Sequence, residues 1–186
     1  MSPSQFAQRL RERSQQIAQA YSTRWPRIMG KMAIDHFQDN FRHAGYIDTS
    51  LEPWEQTLRQ RLPFNGAAGR YTPLLSRSNH LMRSIDARPS NGSTTVFADT
   101  PYAQAHNEGA TVPITQPMRR FFWAKHAEAK RHGGQHNPET LFWRNMAITK
   151  KQQLRIPKRQ FIGPSRRLTQ NITQTLLKDL SNILQS

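Results

Sequence analysis

The feature that most constrains the fold is an apolar stripe near the C-terminal end of the chain. From Leu168 onward, apolar residues recur at a spacing close to four: Ile172, Leu176, Leu180, Ile183 and Leu184. This spacing places them on one face of an α-helix and leaves polar residues on the other faces. The sequence therefore predicts an amphipathic C-terminal helix whose apolar face must be covered by packing.

A similar period occurs at the other end of the chain. Residues 4–21 place these apolar side chains near one helical face: Phe6, Leu10, Ile17 and Tyr21. Trp25 and Pro26 interrupt the pattern, which then resumes at Ile34, Phe37 and Phe41. Gly45 is a typical stop signal. Residues 1–45 are therefore predicted to form two helices, or one kinked helix.

The centre of the chain has the patterns of loops and short strands. Proline and glycine punctuate residues 46–92, which are predicted to form an irregular connector. Residues 93–98 (STTVFA) are rich in β-branched side chains and are the best strand candidate. A partner across the turn at Asn91 and Gly92 would make a hairpin. Residues 93–116 are therefore predicted to hold a small antiparallel sheet.

The last part of the chain is predicted to begin with helices and then to become extended. Residues 117–151 form a basic helical insertion, with helices expected at 118–130 and 138–147. Pro157 prevents a helix from running through its surroundings, so an extended segment precedes the C-terminal helix. Residues 152–186 combine these two pieces.

The composition fits one folded domain over 1–186 with a large polar surface. Apolar residues make up 35% of the chain and the mean hydropathy is −0.80, but nine Phe, four Trp and four Tyr can still fill a core. We expect an α+β fold, in which a small antiparallel sheet is flanked by N-terminal helices and a C-terminal amphipathic helix, with a basic helical insertion.

The lack of cysteine and of long apolar stretches excludes several kinds of site and of location. The chain has no cysteine, which excludes disulfides, thiolate metal sites and cysteine nucleophiles. No stretch approaches the ~20 apolar residues that span a bilayer, and the N-terminal segment lacks the apolar region of a signal peptide. We expect a protein that is made and used in the cytoplasm, or in a particle assembled there, without a membrane partner.

Positive charge is the strongest global signal. The chain has 27 Lys and Arg against 12 Asp and Glu, a formal charge of +15. Residues 117–170 carry thirteen of the cations and two acids, which leaves +11 in that segment. Such an excess calls for DNA or acidic neighbouring subunits. The candidate partner-facing residues are Arg119, Arg120, Lys125, Lys130, Arg131, Lys150, Lys151, Lys158, Arg166 and Arg167.

The candidate chemical motifs are weak. His126, His132 and His136 have no metal-binding spacing and few nearby carboxylates, so a solvated basic loop is the preferred interpretation. The triplet from His106 to Glu108 fits a polar turn better than a general base, since neighbouring side chains diverge. The consecutive aromatics at 121–123 fit core packing by Phe122 or Trp123 better than base stacking. We expect no catalytic residue, no cofactor and no metal.

Four stretches together resemble the phage virion-morphogenesis, or tail-completion, family that includes the G protein of phage Mu. Residues 100–109 (TPYAQAHNEG) are similar to the family phrase PYAxxHxxG, and residues 156–163 (IPKRQFIG) are similar to IPxRxFxG. We call these the first phrase and the second phrase. Residues 74–85 (LLSRSNHLMRSI) resemble a third stretch, in which Asn79 stands where Gly is common. Residues 33–54 resemble the family's helix, glycine and anchoring Trp.

The resemblance implies a function in the phage neck. It implies an α+β subunit of a hexameric or dodecameric homo-oligomeric ring in the virion, at the head-tail junction. Its neighbours would be connector or stopper proteins and tail terminator or tube proteins, with genomic DNA passing through the channel. The residues expected to serve as scaffold and subunit contacts are Pro101, Tyr102, His106, Gly109, Ile156, Pro157, Arg159, Phe161 and Gly163.

Two other functions compete with this interpretation. A sequence-independent nucleic-acid-binding protein acting in phage assembly would explain the charge, although no recognised motif supports it. A virion-associated hydrolase or nuclease would need a carboxylate cluster, of which the sequence shows little sign. A structural protein of a tailed bacteriophage, active in tail completion, is the leading prediction, and the expectation is that it is not an enzyme.

Overall fold

The N-terminal part of the chain is a single long helical rod. The structure is a computed structural model, and it describes residues 2–61 and 71–185. Helix α1 spans Pro3–Gln19, a π-helical segment spans Ala20–Arg24, and helix α2 spans Trp25–Arg42. The backbone stays right-handed through both junctions. Of the two alternatives for residues 1–45, the continuous backbone fits one helix better than two separate helices, with a π-helical segment where a kink was expected.

Local chemistry explains where this rod begins and where it is irregular. The Ser2 hydroxyl accepts from the backbone N–H of Gln5, and the Gln5 side chain accepts from the N–H of Ser2. This reciprocal pair is a capping box. The π-helical segment ends two residues before Pro26, which has no N–H to donate to the helical ladder.

Residues 46–92 are more ordered than an irregular connector. Strands β1 (Gly45–Ile47) and β2 (Leu51–Pro53) form an antiparallel hairpin, and short helices α3 (Leu58–Arg61) and α4 (His80–Arg83) follow. The prediction of irregularity is wrong for these described residues; 62–70 lie outside them. A Cβ at Gly45 would lie 2.6 Å from the Glu52 carbonyl oxygen. The glycine interpreted as a helix stop therefore also permits close strand pairing.

The predicted hairpin around Asn91 and Gly92 is confirmed. Strand β3 (Ile85–Ser90) pairs with β4 (Ser93–Ala98), and Gly92 adopts a φ of 68° in the turn. Both strands pack against α2. Strand β3 lies within residues 46–92, which were predicted to be irregular. Helix α5 (Ala103–Glu108) follows the hairpin and carries most of the first phrase.

The basic insertion is a helical hairpin carried by two strands. Strand β5 (Ala110–Pro113) pairs antiparallel with β6 (Gln153–Ile156), although residues 114–152 lie between the two strands in the sequence. Between them lie α6 (Gln116–Gly133) and α7 (Pro138–Ile148), which pack mainly on each other. We call α6 and α7 the helical hairpin and the other described residues the body.

The last helix closes the body against the N-terminal rod. Helix α8 (Arg166–Gln185) packs on α2 and α1. Leu168 and Ile183 of its predicted stripe are buried, whereas Leu184 remains exposed. Asp179 accepts hydrogen bonds from Arg24 and from the Trp25 indole, which ties α8 to the rod. No described helix is both long and apolar enough to cross a membrane.

The α+β prediction is confirmed, and the strands among the described residues form three two-stranded sheets. The core of the body lies between α2, α8, the β3–β4 hairpin and the second phrase. Phe161 is 1% exposed, and its ring centroid lies 5.0 Å from that of Phe41, which in turn packs edge-on against Trp54. A residue of the second phrase therefore sits at the centre of the core.

Candidate functional site

The two phrases lie against each other, although about fifty residues separate them. The backbone N–H of Arg159 donates to the carbonyl oxygen of His106 at 2.8 Å. The Asn107 side-chain oxygen accepts from the backbone N–H groups of Phe161 and Ile162 at 2.9 and 3.0 Å. The prediction of a polar turn from His106 to Glu108 is wrong, because these residues end helix α5, but Asn107 does satisfy backbone groups and so bridges the two phrases.

The second phrase is also tied to the N-terminal part of the body. Asn40 is fully buried; its side-chain nitrogen donates to the Phe161 carbonyl, and its side-chain oxygen accepts from the N–H of Ile47. The Trp54 indole donates to the Gln160 carbonyl at 2.9 Å. Buried polar groups of this kind specify a unique arrangement because each unpaired group would be costly.

Arg159 is a structural residue within this arrangement. It is 6% exposed, and two of its guanidinium nitrogens donate to the backbone carbonyl of Glu55 at 3.1 and 2.9 Å. The prediction that Arg159 and Phe161 could serve as subunit contacts is corrected in this respect: their side chains are inside the subunit. Arg159 and Phe161 stabilise the subunit from within, as expected of the scaffold role that was also predicted for them.

The remaining phrase residues lie nearer the surface or are needed for backbone geometry. Pro101 and Tyr102 are exposed, so they remain available for contacts with other molecules. Gly109 has a φ of 80°, and a Cβ there would lie 3.0 Å from the backbone nitrogen of Lys158. Glycine is favoured at such a position. The half-buried phrase residues are His106, Gly109, Ile156, Pro157 and Gly163.

A cavity of about 790 Å³ lies where the first phrase faces the helical hairpin. Its body wall includes His80, Tyr102, His106 and Arg159, and its hairpin wall includes Lys125, Glu139, Phe142 and Trp143. Burial lowers the pKa of His106, and the nearby Arg159 charge lowers it further. His106 Nδ1 has no hydrogen-bond partner among the described residues. The histidine is therefore favoured in its neutral form.

The described lining of the cavity includes titratable side chains but no metal-binding cluster. Glu139 is the single carboxylate among its described lining residues, and the other titratable side chains there include His80, His106 and Lys125. No cluster of three or more described His, Cys, Asp or Glu residues could hold a metal ion. His126 contacts the Thr140 carbonyl, whereas His132 and His136 are exposed.

The structure divides the candidate partner-facing cations into two groups. Arg119 is half-buried and donates to the carbonyl oxygens of Ala147 and Thr149, at 3.2 and 2.8 Å. It therefore caps the end of α7, and its prediction as a partner-facing residue is corrected. Lys125 is half-buried and pairs with Glu128. The exposed cations are Arg120, Lys130, Arg131, Lys150, Lys151, Lys158, Arg166 and Arg167.

The aromatic side chains of α6 also differ in their burial. Phe122 is buried and stacks on Trp143 of α7 at a centroid distance of 6.2 Å. Trp123 is 46% exposed and packs edge-on against His126. The core role predicted for one of these two side chains therefore belongs to Phe122.

Sequence reasoning missed the polar residues that join the segments. Asn40 lies on the same helical face as Phe37 and Phe41, and a polar residue within an apolar stripe is the one signal that could have marked it. Asn107 carried no comparable signal, because its partners lie in a distant segment. Asn79 adopts a left-handed backbone with a φ of 50°. This conformation explains why glycine suits the same place in the resembling stretch.

Compared with protein-family models, curated proteins and solved structures, the chain matches none of them. The family therefore remains a resemblance, carried by the phrases and their order along the chain. The structure adds that the two phrases occupy one connected part of the body, where His106 and Asn107 meet Arg159 and Phe161.

Proposed function

We propose that this protein is a structural subunit of a tailed bacteriophage, a tail-completion or neck component that joins the tail to the capsid connector. The observation that carries the proposal is the direct pairing of the two phrases, through Arg159 to His106 and through Asn107 to Phe161. The residues that resemble the family are thus the residues that hold the subunit together. Such a role fits a structural protein better than a reactive centre.

Exposed apolar faces on the terminal helices support an assembling subunit. Phe6 and Leu10 are 61% and 60% exposed and lie one turn apart on α1. Helix α1 buries none of its residues in the body. Leu177 and Leu184 are exposed two turns apart on α8. Neighbouring exposed apolar side chains of this kind are typical of surfaces that another subunit covers.

The proposed assembly is a homo-oligomeric ring, hexameric or dodecameric, at the head-tail junction of the virion, built in the host cytoplasm. Its proposed neighbours are the connector or stopper on one side and the tail terminator or tube on the other. A heterologous interface closes such a ring when each subunit presents two different surfaces. The exposed face of α1 and the exposed leucines of α8 are candidates for these two surfaces.

A nucleic-acid-binding protein is the second candidate function, and one observation favours it. The exposed cations of the helical hairpin, such as Arg120 and Arg131, form no ion pair with a described residue. The same surface is compatible with a neck subunit that touches DNA. The two functions therefore differ in whether the protein is a lasting part of the particle.

Inactivation of the gene in the phage that encodes the protein tests the proposal. We expect full heads and complete tails that fail to join, with joining restored by the wild-type protein. The double variant F6D/L10D should fold but fail to restore joining, because it places charge on the exposed apolar face. The control S4D/Q15D adds the same charge to the opposite face of α1 and should restore it. Normal particles without the protein would contradict the proposal.

A further inference from the structure

The outer surface of α6 is a continuous exposed face with its own composition. An α-helix turns 100° per residue, so residues spaced by three, four and seven positions share a face. The side opposite the buried Phe122 and Ala129 exposes Arg120, Ala124, Ala127 and Arg131, and its flank exposes Trp123 and Lys130. We call these six residues the outer face of α6.

The positive charges of this face are not neutralised within the described chain. None of Arg120, Lys130 and Arg131 forms an ion pair with a described residue. The one acid of α6, Glu128, is engaged by Lys125 at 2.7 Å. The hydrogen bond from Lys125 lowers the pKa of Glu128, and the charges of His132 and Arg131 contribute in the same direction. The six residues of the face therefore carry three positive charges and no carboxylate, and the exposed Glu128 lies at its edge, three residues before Arg131.

The shape of the face suits an extended, regularly charged partner. Arg120 and Arg131 are eleven residues apart, roughly 16 Å along the axis at the usual helical rise. The small side chains of Ala124 and Ala127 lie between them. A partner can therefore approach the helix backbone closely while the cations reach around it. A helix is about as wide as the major groove of DNA, roughly 12 Å.

The aromatic side chains favour a double strand over unpaired bases. Trp123 packs edge-on against His126, with centroids 5.5 Å apart. Phe121 packs edge-on against Phe122 and Trp143. Each of these half-exposed rings is therefore engaged on one side by a neighbour, which limits its use as a platform on which single-stranded bases stack. Apart from Trp123, the face presents cations separated by small side chains. This arrangement suits contacts with phosphate groups.

We propose that the outer face of α6 binds the phosphate backbone of double-stranded DNA without reading its sequence. The cations that carry the contact are Arg120, Lys130 and Arg131. An acidic protein is the competing partner, but protein interfaces gain affinity from buried apolar anchors, and this face offers Trp123 alone. The inference rests on the second candidate function and deepens it, because it names the form of nucleic acid and the residues that bind it; it does not depend on the neck ring.

Binding of the full-length protein to a labelled duplex of about 25 base pairs, followed by fluorescence anisotropy over a range of salt, tests the proposal. The variant R120Q/K130Q/R131Q should bind at least about tenfold more weakly at about 100 mM salt, because up to three phosphate contacts are lost. The slope of log affinity against log salt should become shallower by about 2–3. Glutamine preserves helix propensity, and circular dichroism checks the fold.

The matched control is R9Q/R11Q/K178Q, which removes the same charge from exposed positions on α1 and α8. It should retain wild-type affinity within about threefold, as expected when net charge alone contributes little. Equal losses in both variants would overturn the proposal. So would tighter binding to a single strand of the same length. Preferential binding to polyglutamate over the duplex would also overturn it, in favour of an acidic protein partner.

Discussion

The body and the helical hairpin are stabilised by different kinds of contact. The body is closed by hydrogen bonds between distant segments, such as Asn40 with Phe161, 121 residues apart, and Ser165 with Ile47, 118 residues apart. The helical hairpin is closed by contacts within itself, such as Arg119 with Ala147 and Phe122 with Trp143. The β5–β6 pair is the part of the body from which the helical hairpin extends.

This difference has consequences for how each region tolerates change. The body depends on a few buried residues that link many elements, so one substitution there affects the whole subunit. The helical hairpin can lose a local contact while the body stays folded, because stability is distributed in local units. The hairpin is therefore the region in which exposed charge can be placed without cost to the core.

The largest expected effect follows from truncation at the centre of the body. Phe161→Ala should lower the free energy of unfolding by about 3–5 kcal/mol, because a fully buried aromatic ring is removed. Phe121→Ala in the helical hairpin should cost below about 1 kcal/mol, because that ring is largely exposed. Urea unfolding of both variants measures the difference. Equal losses would contradict the division into two regions.

A smaller loss of stability is expected when the buried hydrogen bonds of Asn40 are removed. Asn40→Ala removes the partner of the Ile47 N–H and of the Phe161 carbonyl. We expect a loss of about 2–3 kcal/mol from the two unsatisfied groups. The control Asn145→Ala changes an exposed asparagine of α7 and should stay within about 0.5 kcal/mol. Thermal denaturation compares the stability of the two variants. An Asn40→Ala variant as stable as the wild type would show that these two hydrogen bonds do not stabilise the body.

A loss confined to the helical hairpin is expected for Arg119→Ala. This variant leaves the carbonyls of Ala147 and Thr149 without the guanidinium, at a cost of about 1–2 kcal/mol. Hydrogen exchange should accelerate in α6 and α7 and stay unchanged in α2. The neighbouring Arg120→Ala, at an exposed position, serves as the control. Faster exchange in α2 as well would show that the two regions unfold together.

The smallest expected effect is a pH dependence of stability that arises from two histidines of the body. Burial is the main cause that lowers the pKa of both His36 and His106. The unfolded state therefore binds protons more readily, so stability should fall as pH drops below about 6.5 toward the lowered values. His106→Gln should flatten this dependence, whereas His132→Gln in the helical hairpin should not. A wild-type stability that rises on acidification would contradict the assigned direction.

Much of the fold could be predicted because local patterns determine it. The amphipathic period of α8 and the turn at Asn91 and Gly92 are readable from neighbouring residues, and both elements are present. The β1–β2 hairpin could not be read in this way, because its strands have three residues each and no alternating pattern. The pairing of β5 with β6 was equally hidden, since the whole insertion separates them.

The candidate site was predictable only in part. The two phrases identified residues that come together, but the burial of Arg159 and Phe161 depends on distant segments. Charge alone did not distinguish Arg119, which caps α7, from Arg120, which is exposed one residue later. Their roles differ because a helix turns by 100° per residue, so tertiary packing decides which neighbour faces inward.

The most direct test of the central claim is a cryo-EM reconstruction of the head-tail junction, with this chain traced in the density. The account predicts a symmetric ring at the neck, in which the exposed faces of α1 and α8 are covered by neighbouring subunits. It also predicts that Arg120, Lys130 and Arg131 face the DNA channel. Mature particles without any copy of the chain would contradict the account and would favour a transient assembly factor or a nucleic-acid-binding protein.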